Sequence, residues 1–271
     1  MLSVSEPIAR RTTVRLGDHT TNELDERLRT EEPIAVLPTG SCEQHGPHLP
    51  LDTDTFLAES VAYETCRQTG DVLLPAVAIG YNEKELAFAG TVSVPAIPFF
   101  EGVVGIGRSL ARSGWRRMVV VNGHGWNNDL VRAATHVLNE IDGFTVACCS
   151  YWTLCHPEIR ALRESPTPGG MAHGCEFETS LMMHLRPGSV RMHAIVDEIK
   201  PSGIRHLHHD LLEKSPMFMP EPFGNLSTTG VIGSPSLATA DKGRVWFQAA
   251  VGRLSEFLRD FRAKAPGPCG R

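Results

Sequence analysis

The chain has 271 residues, 41% hydrophobic and 21% charged, a globular balance that excludes a disordered, collagen-like or coiled-coil protein as a whole. Lys and Arg number 26 against 31 Asp and Glu, a formal charge of −5, too acidic for the broad positive field that nucleic acid requires. No apolar run approaches the ~20 residues that cross a bilayer, and residues 1–11 lack the apolar stretch of a secretion signal, so the expectation is a cytoplasmic protein with no membrane partner.

A polar N-terminal segment (1–32) precedes the expected single domain (33–264), and a Pro/Gly-rich stretch (265–271) is expected to be a flexible tail. Within the domain, short β-type runs alternate with helical patterns. The patterns predict a strand at 34–38, a helix at 54–69, strands at 72–79, 117–121 and 144–151, and helices at 99–113 and 128–141. Further on, the apolar run 181–185 reads as a helix and 241–263 as an amphipathic helix. Segment 200–230, rich in Pro, His and Gly, reads as a covering loop or an oligomer contact. This alternation predicts an α/β fold of three layers, a mainly parallel sheet flanked by helices on both faces. The seven cysteines, odd in number and without a Cys-x-x-Cys pair, read as reduced thiols.

Ligands of such sheets gather beyond the carboxyl ends of the strands, and three polar clusters fall there. Glu43, His45, His48, Asp52 and Asp54 follow the first strand, a density of imidazole and carboxylate that suits a divalent metal, although acidic residues also serve as turn formers. His124 stands between Gly123 and Gly125, whose small size lets a metal or substrate approach the backbone; alone, such a histidine is more often structural. His173, Glu176 and Glu178 precede the apolar run at 181. All three clusters are expected to meet at one rim of the sheet. Trp126 and Trp152 are candidates to wall a flat substrate, with simple packing as the alternative. The group His206, His208, His209 and Asp210 reads as a solvated loop rather than a metal site.

The run Gly40-Ser41-Cys42-Glu43-Gln44-His45-Gly46-Pro47-His48-Leu49-Pro50-Leu51-Asp52-Thr53-Asp54 resembles the signature of the creatininase family of amidohydrolases. The resemblance recurs at Phe88-Ala89-Gly90-Thr91-Val92-Ser93, Asn122-Gly123-His124-Gly125, His173-Gly174-Cys175-Glu176-Phe177-Glu178-Thr179-Ser180 and Gly230-Val231-Ile232-Gly233. It implies two divalent metal ions (zinc, manganese or iron) bridged by one aspartate: Glu43, Asp54 and His124 on one ion, His45 and Asp54 on the other. The namesake's glutamate two residues after the loop histidine is replaced here by Trp126. Many relatives carry a glutamate three residues into the later motif, so Glu176 is expected as the fifth ligand, with Glu178 as the other candidate. Two such ions bring +4 against −3 from three carboxylates, leaving room for a bridging hydroxide of lowered pKa.

The same resemblance marks His173 as the catalytic proton carrier, the alternative being that it merely orients Glu176 or Glu178; Glu178 is the second catalytic candidate. Glu83, Lys84 and Glu85 stand before Phe88 where relatives usually show a histidine, which points away from creatinine itself. The implied activity is cleavage of a non-peptide C–N bond, in a cyclic or linear amide of a small molecule. A short-peptide peptidase, a formamide deformylase or an inactive metal-binding scaffold are the alternatives. A homo-oligomer, often a hexamer whose neighbouring subunits close the pocket, is also implied.

Overall fold

A computed structural model describes residues 13–264; the tail expected at 265–271 lies outside them. The chain runs through α1 (Thr21–Thr30), β1 (Ala35–Thr39), α2 (Thr53–Thr69), β2 (Val72–Leu73), α3 (Ala96–Arg112), β3 (Arg117–Asn122), α4 (Asn128–Leu138) and β4 (Thr145–Ser150). It continues through α5 (His156–Leu162), β5 (Met171–His173), α6 (Glu176–Leu185), α7 (Phe223–Leu226), β6 (Ile232–Gly233) and α8 (Ala240–Ala263).

The four strands of the main sheet are parallel, in the order β2-β1-β3-β4. Alternate side chains of the two central strands feed two separate cores, as a pleat requires. Val36, Val119 and Val121 pack with Leu57 and Val61 of α2, Leu181 of α6 and Trp246 and Leu254 of α8. Ala35, Leu37, Met118 and Val120 pack on the other face with Val103 of α3 and Val131 and Leu138 of α4. The expected three-layer α/β arrangement is therefore the observed one, and among the described residues no helix is long and apolar enough to cross a membrane.

Several local expectations shift. The strand expected at 72–79 pairs regularly only over Val72–Leu73, with one further bridge at Val77; Pro75 lacks an N–H for the ladder. The polar N-terminal segment carries α1, whose Thr20 and Glu23 form a reciprocal cap. Helix α3 begins three residues before the expected position, with Pro98 tolerated in its first turn. Helix α6 begins at Glu176 rather than 181. An antiparallel pair, β5 with β6, lies apart from the main sheet. Segment 200–230 is irregular apart from α7. Within it Asp210 accepts both Arg163 guanidinium nitrogens and the Gly169 and Leu212 amides, so it pins the loop instead of serving a metal.

Two glycines let the rim close. A Cβ on Gly123 would stand 2.3 Å from the Asp54 carbonyl oxygen, and one on Gly40 2.5 Å from Thr55 Cα. Helix α2 thus begins directly against the ends of β1 and β3, and Asp54, in its first turn, arrives beside the loop that follows β3.

Candidate metal centre

Beyond the carboxyl ends of β1 and β3, the three sequence clusters converge. Asp54 stands between two histidines: Oδ1 lies 3.0 Å from His45 Nε2 and Oδ2 lies 2.9 Å from His124 Nδ1. Glu43 Oε2 is 3.1 Å from His124 Nδ1, and Glu178 Oε1 is 3.8 Å from His45 Nε2. His173 packs at a 30° tilt against His45 with ring centroids 4.2 Å apart, and its Nδ1 is 3.6 Å from Glu43 Oε1. The potential ligand atoms fall into three overlapping sets, each spanning no more than 4.8 Å: Glu43, Asp54 and His124; His45, Asp54 and Glu178; Glu43, His45 and His173.

Each of the three histidines is held by a backbone carbonyl through the nitrogen that faces away from the others. His45 Nδ1 donates to Glu43 O at 3.3 Å, His124 Nε2 to Tyr81 O at 3.1 Å and His173 Nε2 to Gln44 O at 2.7 Å. Fixing one nitrogen as the donor leaves the other as a lone pair aimed inward, the usual orientation device of metal-binding imidazoles. Glu43 Oε1 is buried without a hydrogen-bond partner, while Oε2 accepts from Asn82 Nδ2. An orphaned carboxylate oxygen is costly unless a cation sits against it. The donor set of carboxylates and inward-facing imidazoles fits divalent metal ions.

The cluster's own carboxylates and imidazoles stabilise one another's charged forms, and a metal ion would take the place of the imidazole protons. Burial works against a charged His45 or His124, but the carboxylates beside them overrule it and hold both imidazoles well above their usual range. Burial likewise opposes ionisation of Asp54, yet the two histidines outweigh it and pull its pKa down. Burial drives Glu43 upward, and also Glu85, which feels the neighbouring Glu43 as well. His173 is pushed down to about 4, by burial and then by the charge on His45. His48 falls to about 4 for the same two reasons; its Nε2 bonds Thr179 Oγ1 at 2.9 Å.

Two expected site residues lie elsewhere. Glu176 points away: its carboxylate takes Lys242 Nζ at 2.6 Å and the Ser165 amide at 2.9 Å. Because α6 already begins at residue 176, Glu176 and Glu178 are two helical steps apart, roughly 200° around the axis, and face opposite sides. Glu178 is the one that reaches His45. Trp152 belongs to the core, edge-on to Tyr151 at 5.5 Å. Trp126 is half-buried and leans on Phe218 at 6.1 Å. Phe223 lies 4.9 Å from His173, so segment 200–230 contributes aromatic rings against both Trp126 and His173. Asp52 is exposed and pairs with Arg186.

Some contributors were assigned no role from sequence. Gln44, Asn82 and Glu85 are all buried here; Gln44 stands within the first motif, and Glu85 is one of the three residues that replace the relatives' histidine. Lys242 lies on the buried face of α8, which was the available hint.

Residues 17–258 match the family model described as creatininase, creatinine amidohydrolase. The chain belongs to the creatininase family. Among its relatives is the mycofactocin precursor peptide peptidase of Mycobacterium tuberculosis, 36% identical over 247 residues and 87% of each chain. The creatinine amidohydrolase of Pseudomonas putida is 28% identical over 263 residues, covering 91% of this chain and 96% of that one. A manganese form of creatininase superposes with a TM-score of 0.79 at 27% identity, over 92% of this chain and 98% of that one; a mutant creatininase of Zn-Zn type gives 0.80. The creatininase-family hydrolase fold is thus shared over nearly the whole described chain.

Proposed function

We propose that this creatininase-family protein hydrolyses an amide C–N bond with two divalent ions, one held by Glu43, Asp54 and His124 and the other by His45, Asp54 and Glu178. The observation that carries this reading is the straddling Asp54, whose two oxygens face two different histidines. Ions bound there would lower the pKa of a water and polarise the scissile carbonyl. His173, with Nδ1 turned inward and Nε2 tied to the Gln44 carbonyl, is placed to pass a proton to the leaving nitrogen. Its neutrality, favoured by burial and by His45, leaves that nitrogen free to take a proton first. Phe223 packs against the same ring in a T-shaped contact, its centroid 4.9 Å away.

The substrate is proposed to be a small-molecule amide. A short peptide is the second reading, favoured by the 36% identity to a precursor peptide peptidase. Manganese and zinc are the favoured ions, since creatininases of both kinds superpose on this fold. The test is metal analysis of gently purified protein, followed by a panel of lactams, formamides and short peptides with Mn or Zn restored. Turnover abolished by Asp54→Ala is expected. Turnover that survives Asp54→Ala unchanged would refute the reading, and metal retention without turnover of any panel member would favour the scaffold.

A further inference from the structure

At the amino ends of β3 and β4, on the rim of the sheet opposite the metal centre, lies an open cavity of about 660 Å³. Its wall is the end of α3, which presents Arg108 and Arg112 one helical turn apart. Trp115 and Phe144, each 3% exposed, form an apolar floor. Arg116, just before β3, and Asp142, in the turn before β4, complete the charged lining. Three arginines thus face one aspartate in a chain whose net charge is −5. Among the described residues the Arg108 and Arg112 guanidinium groups have no hydrogen-bond or ion-pair partner. Arg116 has only Glu32, at 3.7 Å between two exposed side chains, a contact worth little. Arg117, next in the chain, is the contrast: it is buried and donates to the Phe261 and Lys264 carbonyls.

Basic residues near a helix C-terminus complement the macrodipole, which accounts for positive charge at 108 and 112. It does not account for Arg116, which lies beyond the helix, nor for all three arginines lining one concave surface over an apolar floor. Guanidinium groups present paired N–H donors that match the oxygens of a phosphate. A phosphate monoester carries about −1.5 to −2 at pH 7, which balances the excess of three arginines over one aspartate, whereas a single carboxylate would leave half of it. The volume falls in the range of roughly 300–1,000 Å³ usual for small-molecule sites, with room for an organic body beside the phosphate. We propose that this cavity is a second binding site for a phosphate-bearing small molecule, separated from the metal centre by the length of β3, roughly 20 Å. It stands independently of the hydrolase reading.

The experiment is isothermal titration calorimetry of the full, zinc-loaded chain with inorganic phosphate, AMP and glucose 6-phosphate, and with acetate as the monoanion control. Saturable binding of a phosphate compound that weakens as NaCl rises is expected. Inorganic phosphate binding as tightly as the esters would identify the free ion as the ligand; tighter binding of an ester would show that the apolar floor contributes. Arg108→Gln and Arg112→Gln should each weaken binding roughly tenfold. Asp142→Asn should tighten it roughly 2–5-fold; Asp142 has no side-chain partner among the described residues, so this variant tests the charge argument even if an arginine variant fails to fold. Asp54→Ala removes any phosphate binding to ions at the metal centre and should retain binding at this cavity. No saturable binding of any phosphate compound, binding lost in Asp54→Ala but unmoved by the arginine changes, or acetate bound as tightly as phosphate would overturn the proposal.

Discussion

Substituting Gly123 by alanine tests how the sequence brings the clusters together. The added Cβ would stand 2.3 Å from the Asp54 carbonyl oxygen and 2.9 Å from Ala58 Cβ. Restoring an ordinary contact requires the first turn of α2 to retreat by about 1 Å, and overpacking of this kind costs roughly 1–3 kcal/mol. Asp54 rides on that turn, so its carboxylate would leave hydrogen-bond range of His45 and His124, now at 3.0 and 2.9 Å. Metal affinity should fall with it, by roughly 10–100-fold. Gly125, two residues on, is the control, since a Cβ there meets nothing within 4 Å. Chemical denaturation and zinc titration of both variants make the comparison. If Gly123→Ala denatures and binds zinc like Gly125→Ala, the close approach of α2 does not set the site and the reasoning fails.

Glu178→Gln should lower zinc affinity by roughly tenfold or more, whereas Glu176→Gln should leave it unchanged while reducing stability; the reverse ranking in a zinc titration would restore Glu176 as the ligand. Lys242→Met leaves the buried Glu176 without its cation and should cost roughly 3 kcal/mol, the low end of the usual range because the Ser165 amide still holds the carboxylate; urea unfolding reads this, with zinc stoichiometry as the control that must not move. For pH, Glu198 is half-buried, which raises its pKa, but the Ser227 and Thr229 hydroxyls and the Thr228 and Thr229 amides overcome this and hold it at about 2. A carboxyl depressed in the folded state contributes stability above its unfolded value that is lost as pH falls toward the folded one. The Tm difference between wild type and Glu198→Gln should therefore be full at neutral pH and shrink between about 4.5 and about 2; a difference that stays constant with pH would contradict the assignment.

The alternation of Val-rich runs with helical patterns was enough to read the parallel sheet and its two helical layers, because the two central strands are buried along their whole length while helices such as α3 and α4 bury a single face. The ends were less legible. Pro75 stops β2, and the start of α6 at Glu176 was hidden because its first turn is polar on one side and apolar on the other. That boundary decided which glutamate turns toward His45, so a helix-start error became a wrong expectation for a site residue.

Composition, charge and local pattern determined the class of fold, the density of metal-suited groups after the first strand and the glycines flanking His124, since these depend on neighbours in the chain. Only tertiary structure decided that Asp54 lies between His45 and His124, that Glu176 serves Lys242, that Trp152 is core, and that Glu85 and Gln44 lie behind His173. Such facts depend on which residues distant in sequence share a rim, and the direction of a side chain on a helix is set by phase and packing rather than by its identity.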